Sequence, residues 1–357
     1  MKRLAIIVLS ALVIMSCSQK KDDANSQKGD TLEETTDIMM SPEDIPDGEF
    51  DETYSALEDS AIKINGIYYT LNRNKRTARV SCPSNNERTY TGHINIPRTI
   101  TYNDTTYVVK SVGTAFSYQD SLISITLPSS IIYIGENAFS HCGNLKKVVL
   151  PNTLKAIGPY AFDNTDLSQI NLPNSLREIG ICAFVGCKFT QIELPNSLKY
   201  IDSGAFGDCT NLTIISIPNS VKYIAAATFL GCENLKSVHL PESLNGIGED
   251  AFAFCTHLTD INIPSTVKSI EDKAFYSCTN LDCLFVPNSV KQIGEGAFYG
   301  CKNKAGIHLP SSMKNKSKIF RVGEEGPLDL GTLQCAYMFG NNEGRGEIEG
   351  FEDYEDN

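Results

Sequence analysis

Nine prolines divide the chain at near-constant intervals: Pro128, Pro151, Pro173, Pro195, Pro218, Pro241, Pro264, Pro287 and Pro310 stand 22 or 23 residues apart. Nine phenylalanines (Phe116, Phe139, Phe162, Phe184, Phe206, Phe229, Phe252, Phe275 and Phe298) keep the same step. A fixed period in this range marks a solenoid, in which each repeat buries its apolar face only against its neighbours. Function in such a chain lies on a stacked outer surface rather than in a cleft.

One repeat reads PNSLKYIDSGAFGDCTNLTIISIP, and its neighbours reduce to PxSxKxIGxxAFxxCxNLxxIxIP. The residues before each proline alternate, as in Val238, His239 and Leu240, and predict a short strand with one outward side chain between two inward ones. Proline ends that strand because it has no N–H to continue the ladder. A second apolar pair such as Leu198 and Ile201 turns inward, and Ala-Phe followed after two residues by Cys predicts a tight helical or turned segment. The expected fold is a repeat solenoid, mainly β with short helical or turn segments, of about nine rungs of 22 or 23 residues. The shorter rungs lack the slot held by Asn211, at Thr165 to Leu167 and at Cys187 to Phe189.

The flanks differ in composition. Residues 1–16 carry Lys2 and Arg3, then an apolar run from Leu4 to Met15, which reads as an export signal too short to span a membrane. Met15, Ser16 and Cys17 resemble the lipobox of bacterial lipoproteins, which implies acylation of Cys17 and a membrane anchor. Ser18 to Asp23 resembles the polar tag that displays some lipoproteins on the outer face of the outer membrane. Residues 17–61 form an acidic tether: positions 18 to 61 hold 14 acids against 3 bases and few large apolar residues. Residues 62–97 read as a β-hairpin cap over the open end of the first rung, 98–310 as the solenoid, 311–342 as a C-terminal cap with no Ala-Phe rung, and 343–357 as an acidic tail. The body from 62 to 342 is nearly neutral, 25 bases against 22 acids, which argues against a nucleic-acid partner.

The phrases IGxxAFxxCxNL and IxIP, repeated from Gly66 to Pro310, together with GIYY at Gly66 to Tyr69 and HINIP at His93 to Pro97, resemble the BspA-like, or treponemal-type, leucine-rich repeat proteins. The resemblance implies a cell-surface protein that binds a protein ligand, either host matrix or another bacterial surface protein. Thr228 in the alanine slot and Gln119 and Thr165 in the cysteine slot depart from the pattern without disturbing the fold.

Seven cysteines share one slot: Cys142, Cys187, Cys209, Cys232, Cys255, Cys278 and Cys301. Nothing in the repeat supplies the base or helix start that would activate them, so they read as a small buried ladder. Vertical disulfides between rungs are the alternative in an exported protein. No CxxC pair has zinc-site spacing, so no metal is expected, and no cofactor. The chain carries no GxSxG, HExxH, phosphate-loop or dinucleotide fingerprint, and no catalytic residue is assigned. The Asn144, Asn211, Asn234, Asn280 and Asn303 column reads as side chains that hydrogen-bond the turns. The outward strand face is left for recognition, with His239, Asn262, Phe285, His308 and Cys283 as its candidate binding residues, because Phe285 displays apolar surface there. Capture of a glycan is a rival reading, weakened by the absence of tryptophan. A purely structural envelope component is the other.

Overall fold

The computed structural model describes residues 61–82, 90–313 and 316–321. The export signal, Cys17, the tether up to residue 60 and everything from 322 onward lie outside the described residues.

Each repeat makes one turn of a β-solenoid. The segment before most of the prolines supplies one set of short strands, among them Leu122–Thr126, Lys147–Val149, Ile214–Ser216, Ser237–His239 and Asp260–Ile261. Pairing within this set is parallel and one rung apart, as in Ile215 opposite Val238. The segment after each proline supplies a second set, from Tyr133–Ile134 to Gln292–Ile293, again in parallel register: Ile134 opposite Ile157, Ile157 opposite Ile179. The Ala-Phe-x-x-Cys segment closes the rung as a run of turns rather than a helix. Among the described residues, regular helix is confined to 3-10 turns at Thr114–Phe116 and Lys304–Gly306 and to Lys316–Ile319. The turns dip twice into the left-handed region, once before the alanine and once before the cysteine. At the second position φ is 58° at His141, 60° at Phe254, 69° at Gly186 and 77° at Gly300. Cross-rung bonds such as His141 N–H to Asp163 O, 2.7 Å, hold non-glycine residues there.

The rungs ending at Pro173 and Pro195 form no pre-proline strand beyond a single bridge from Gln191 to Ile214. These are the two 22-residue rungs, and the missing residue draws the segment out of ladder register, although Ile170 and Ile192 remain buried.

The core is a set of vertical columns. The nine phenylalanines are all buried and stack ring on ring, with centroids 5.1 to 5.7 Å apart and planes within 12°. That separation is the offset-stacking range for aromatic pairs. The backbone ties the same column together, since each Phe N–H donates to the next rung's Ala-slot carbonyl: Phe184 to Ala205 and Phe229 to Ala251, both 2.9 Å.

Both ends of the column are covered. Ile67–Asn72 and Thr77–Ser81 pair as an antiparallel hairpin, and Thr77–Ser81 pairs parallel with Thr105–Val112, so the hairpin extends the post-proline sheet past its first rung. Tyr90 lies 4.6 Å from the Phe116 ring. The other end is covered by the segment after Pro310, which contains no Ala-Phe pair. Phe298 N–H donates to Ile319 O at 3.0 Å and Phe320 rests 6.2 Å from Phe298, so Ile319 and Phe320 stand where the next pair would. The larger isoleucine in the alanine slot hid this terminal rung from the repeat pattern.

Truncating a ring inside this stack leaves a cavity that neighbours on both sides frame. Phe206→Ala is expected to cost about 3–5 kcal/mol in urea unfolding, whereas Phe285→Ala on the surface stays within about 0.5 kcal/mol. Equal losses from the two substitutions would contradict the column.

Candidate functional site

The residue two places before each proline is exposed in all nine rungs: Thr126, Val149, Asn171, Glu193, Ser216, His239, Asn262, Phe285 and His308. Its neighbour one place earlier is buried throughout, from Ile125 to Ile307. The predicted candidates fall on this face. Leu284–Phe285 pairs parallel with Ile307–His308 and sets Phe285 opposite His308. Asp260 opposite Ser237 and Ile261 opposite Val238 carry Asn262 into line with His239. Phe285 is 64% exposed, more than any other large apolar side chain among the described residues. Cys283 is exposed two residues before it. The rungs from Ser216 to Asn262 are polar and internally bonded: His239 Nδ1 lies 3.1 Å from Ser216 Oγ, and Ser237 Oγ donates to Asp260 Oδ2 at 2.7 Å. The face therefore runs from a hydrogen-bonded polar stretch to an aromatic residue standing in water.

The ladder cysteines are not an inert apolar filling. Each is a free thiol, and each Sγ donates to the carbonyl of the preceding rung's phenylalanine: Cys209 to Phe184 and Cys232 to Phe206 at 3.2 Å, Cys278 to Phe252 at 3.1 Å. That carbonyl already accepts a backbone bond from its own rung, as from Cys209 N–H to Phe206 O, so the thiol fills its second lone pair. Burial pushes the Cys142 and Cys187 thiols up to about 12 and holds those of Cys209, Cys232, Cys255 and Cys278 well above the usual range. Thiols so held are protonated and unreactive at neutral pH.

Asn144, Asn234 and Asn303 donate Nδ2 to the preceding rung's backbone at 2.7 to 2.9 Å, and His257 reaches Glu233 O by Nδ1 at 2.7 Å from the same slot.

One cluster was missed at the level of sequence. Ser140 Oγ lies 2.8 Å from His141 Nδ1, while Asp163 Oδ2 lies 3.5 Å from the same nitrogen and accepts from Ser140 Oγ at 3.4 Å. The period itself is the signal, because Asp163 stands one rung above Ser140. The geometry is not that of a proton relay, in which serine and aspartate engage opposite ring nitrogens. Here both crowd Nδ1, and Ser140 is buried. Burial lowers the His141 pKa and raises Asp163 to about 7, so desolvation works against a charged pair. Among the described residues no group of three or more His, Cys, Asp or Glu is placed to hold a metal ion.

These features define a leucine-rich repeat β-solenoid. A family described as BspA type leucine rich repeat region matches residues 110–202, 155–282 and 199–321, and the chain belongs to that family. No curated protein matches it. Among solved structures it is similar to a leucine rich cell surface protein from Faecalibacterium prausnitzii, at 25% identity over 71% of this chain and 78% of that one, with a TM-score of 0.45. It is also similar to the leucine rich repeat protein of T. pallidum, at 23% identity over 68% and 89% of the two chains, TM-score 0.43. A leucine-rich repeat protein from Bacteroides ovatus is 25% identical over 68% and 93%, TM-score 0.35.

Two measurements test the site chemistry. Alkylation of the native protein at about pH 8, mapped by peptide mass, labels Cys283 and spares the seven ladder cysteines until urea is added; labelling of the ladder in the folded protein would refute their assignment. The second concerns Asp163, Asp250 and Glu178, each raised to about 7 chiefly by burial. Their unfolded carboxyls ionise near pH 4, so the stability they support is full below about pH 4 and is lost as pH rises toward about 7. The thermal midpoint is expected to be higher at about pH 5 than at about pH 7.5, and Asp250→Asn is expected to narrow that gap. A midpoint lower at the acid pH, or a gap untouched by the substitution, would contradict the shift.

Proposed function

We propose that the protein is a non-enzymatic, lipid-anchored surface protein that takes a protein partner on its pre-proline strand face. The observation that carries this reading is Phe285, a phenyl ring held 64% exposed on a rigid strand directly opposite His308. The fold provides an interior slot for one phenylalanine per rung, and Phe285 is a second, outside it. Exposed aromatic residues on rigid elements are the side chains that most often anchor protein interfaces, because they bury much area at small entropic cost. His308 faces that anchor one rung on, Cys283 precedes it on the chain, and Asn262 and His239 continue the polar face in the two earlier rungs.

A non-enzymatic role is supported by the thiols, which burial keeps unactivated, and by the Ser140, His141 and Asp163 arrangement, which does not form a relay. Display at the surface rests on family membership together with the lipobox resemblance at Cys17.

Two substitutions separate the parts of the proposal. In crosslinking pulldowns from intact cells, Phe285→Asp is expected to reduce capture of the partner by tenfold or more, in keeping with the roughly 2 kcal/mol or larger effect of a central anchor; undiminished capture would remove this face from the interaction. Cys17→Ala is expected to abolish fatty-acid labelling, and persistent labelling would remove the anchor.

A further inference from the structure

The post-proline sheet carries a feature that the strand face around Phe285 does not use. The residue before the outward position of each short strand is basic in most rungs: Lys155, Arg177, Lys199, Lys222, Lys268 and Lys291, all exposed. Their backbones bond rung to rung in two runs, Arg177 N–H to Lys155 O at 2.7 Å and Lys199 to Arg177 at 2.8 Å in the first, and Lys222 through Asn245 to Lys268 and on to Lys291 in the second, with the strand ladder interrupted between Lys199 and Lys222. From Lys155 to Lys291 the row spans six rung steps, roughly 29 Å at strand spacing.

None of the six forms an ion pair with a described carboxylate. Lys222 and Lys291 instead donate Nζ to the carbonyls of Asn219 and Asn288, at 3.2 and 2.8 Å. Carboxylates of the same sheet are engaged elsewhere. Glu271 accepts from the Tyr223 hydroxyl and from Glu249 N–H, and Asp272 accepts from Glu295 N–H at 2.8 Å. The result is a row of exposed cations, none ion-paired with a described carboxylate, on a body of nearly balanced formal charge.

We infer that this row is a binding site for an acidic polysaccharide laid along the solenoid axis. The charge complement is a linear polyanion with acidic groups one or two rungs apart, a spacing natural to a chain of sugars bearing carboxylate or sulfate. Beside the cations, Asn152, Asn174, Asn196, Asn219 and Asn288 are exposed in a second row three residues upstream, each presenting an amide that donates to and accepts from sugar hydroxyls. Nucleic acid fits less well. A duplex carries a charge about every 1.7 Å on strands that wind away from such a row, and single strands are held by exposed aromatic platforms. None of the strongly exposed large apolar side chains (Tyr118, Ile123, Val149 and Phe285) belongs to this sheet.

The test uses the full chain and two triple variants of equal charge change. One is Lys155→Gln with Arg177→Gln and Lys199→Gln; the other removes exposed lysines from the flank of the pre-proline strands, Lys146→Gln with Lys147→Gln and Lys236→Gln. Binding to polygalacturonate, to heparin, and to single-stranded and duplex DNA is measured across a salt series, with circular dichroism confirming that each variant is folded. The row triple is expected to weaken polysaccharide binding by about tenfold to a hundredfold and to lower the salt slope by about three, one for each cation removed, while the flank triple leaves both nearly unchanged. Preference for polygalacturonate or for heparin identifies carboxylate or sulfate as the recognised group. The inference is overturned if neither polysaccharide binds the parent protein, if the two triples weaken binding equally, or if DNA binds more tightly than both polysaccharides.

Discussion

The phenylalanine carbonyl is where neighbouring rungs are locked together. It accepts the cysteine N–H of its own rung and the thiol of the next, as Phe206 does from Cys209 and Cys232, while the Phe N–H reaches up to the Ala-slot carbonyl of the rung above. Rings stacked within 5.1 to 5.7 Å fill the space these bonds enclose. No rung can satisfy that set of donors and acceptors alone, so each depends on its neighbours for the bonds and the burial that order it. Cysteine suits the slot because it is small enough for the column and still carries a donor. Thr165 shows the tolerance of the arrangement: its hydroxyl turns to its own Phe162 carbonyl and meets Cys187 Sγ at 3.3 Å.

The period made most of the fold legible. Phe, Cys and Leu columns, inward and outward strand positions, and the two short rungs all follow from counting residues, because a strand alternates with period 2 and a solenoid repeats at the rung length. Three things did not follow. The left-handed turn residues could not be read, since His141, Asn164, Asp208, Phe254 and Ser277 share no chemistry and are held by bonds from the adjacent rung. The terminal rung at Ile319 and Phe320 escaped because isoleucine replaced the marker alanine. The thiol bonds were hidden because a buried cysteine reads first as an apolar residue, and only the position of the facing carbonyl reveals the donor.

The same division between fixed interior and free exterior organises function. Residues consumed by stacking carry no chemistry outward: the thiols are protonated and the buried carboxyls are held near 7. What faces solvent differs between the two strand sets. One set ends in Phe285 beside His308, and the other presents basic side chains in single file. A rod with two chemically distinct sides is a natural consequence of building from rungs, because one substitution per repeat writes a continuous stripe along the axis.

The claim beneath all of this is that the rungs form one cooperative stack. Native-state hydrogen exchange at the phenylalanine amides reads it directly, because each of those N–H groups donates across a rung boundary. The amides of Phe184, Phe206 and Phe229 are predicted to exchange only through global unfolding, with a shared opening free energy that declines toward Phe116 and Phe298. Exchange of the central amides at the rate of unprotected turns, or independently from one rung to the next, would contradict it.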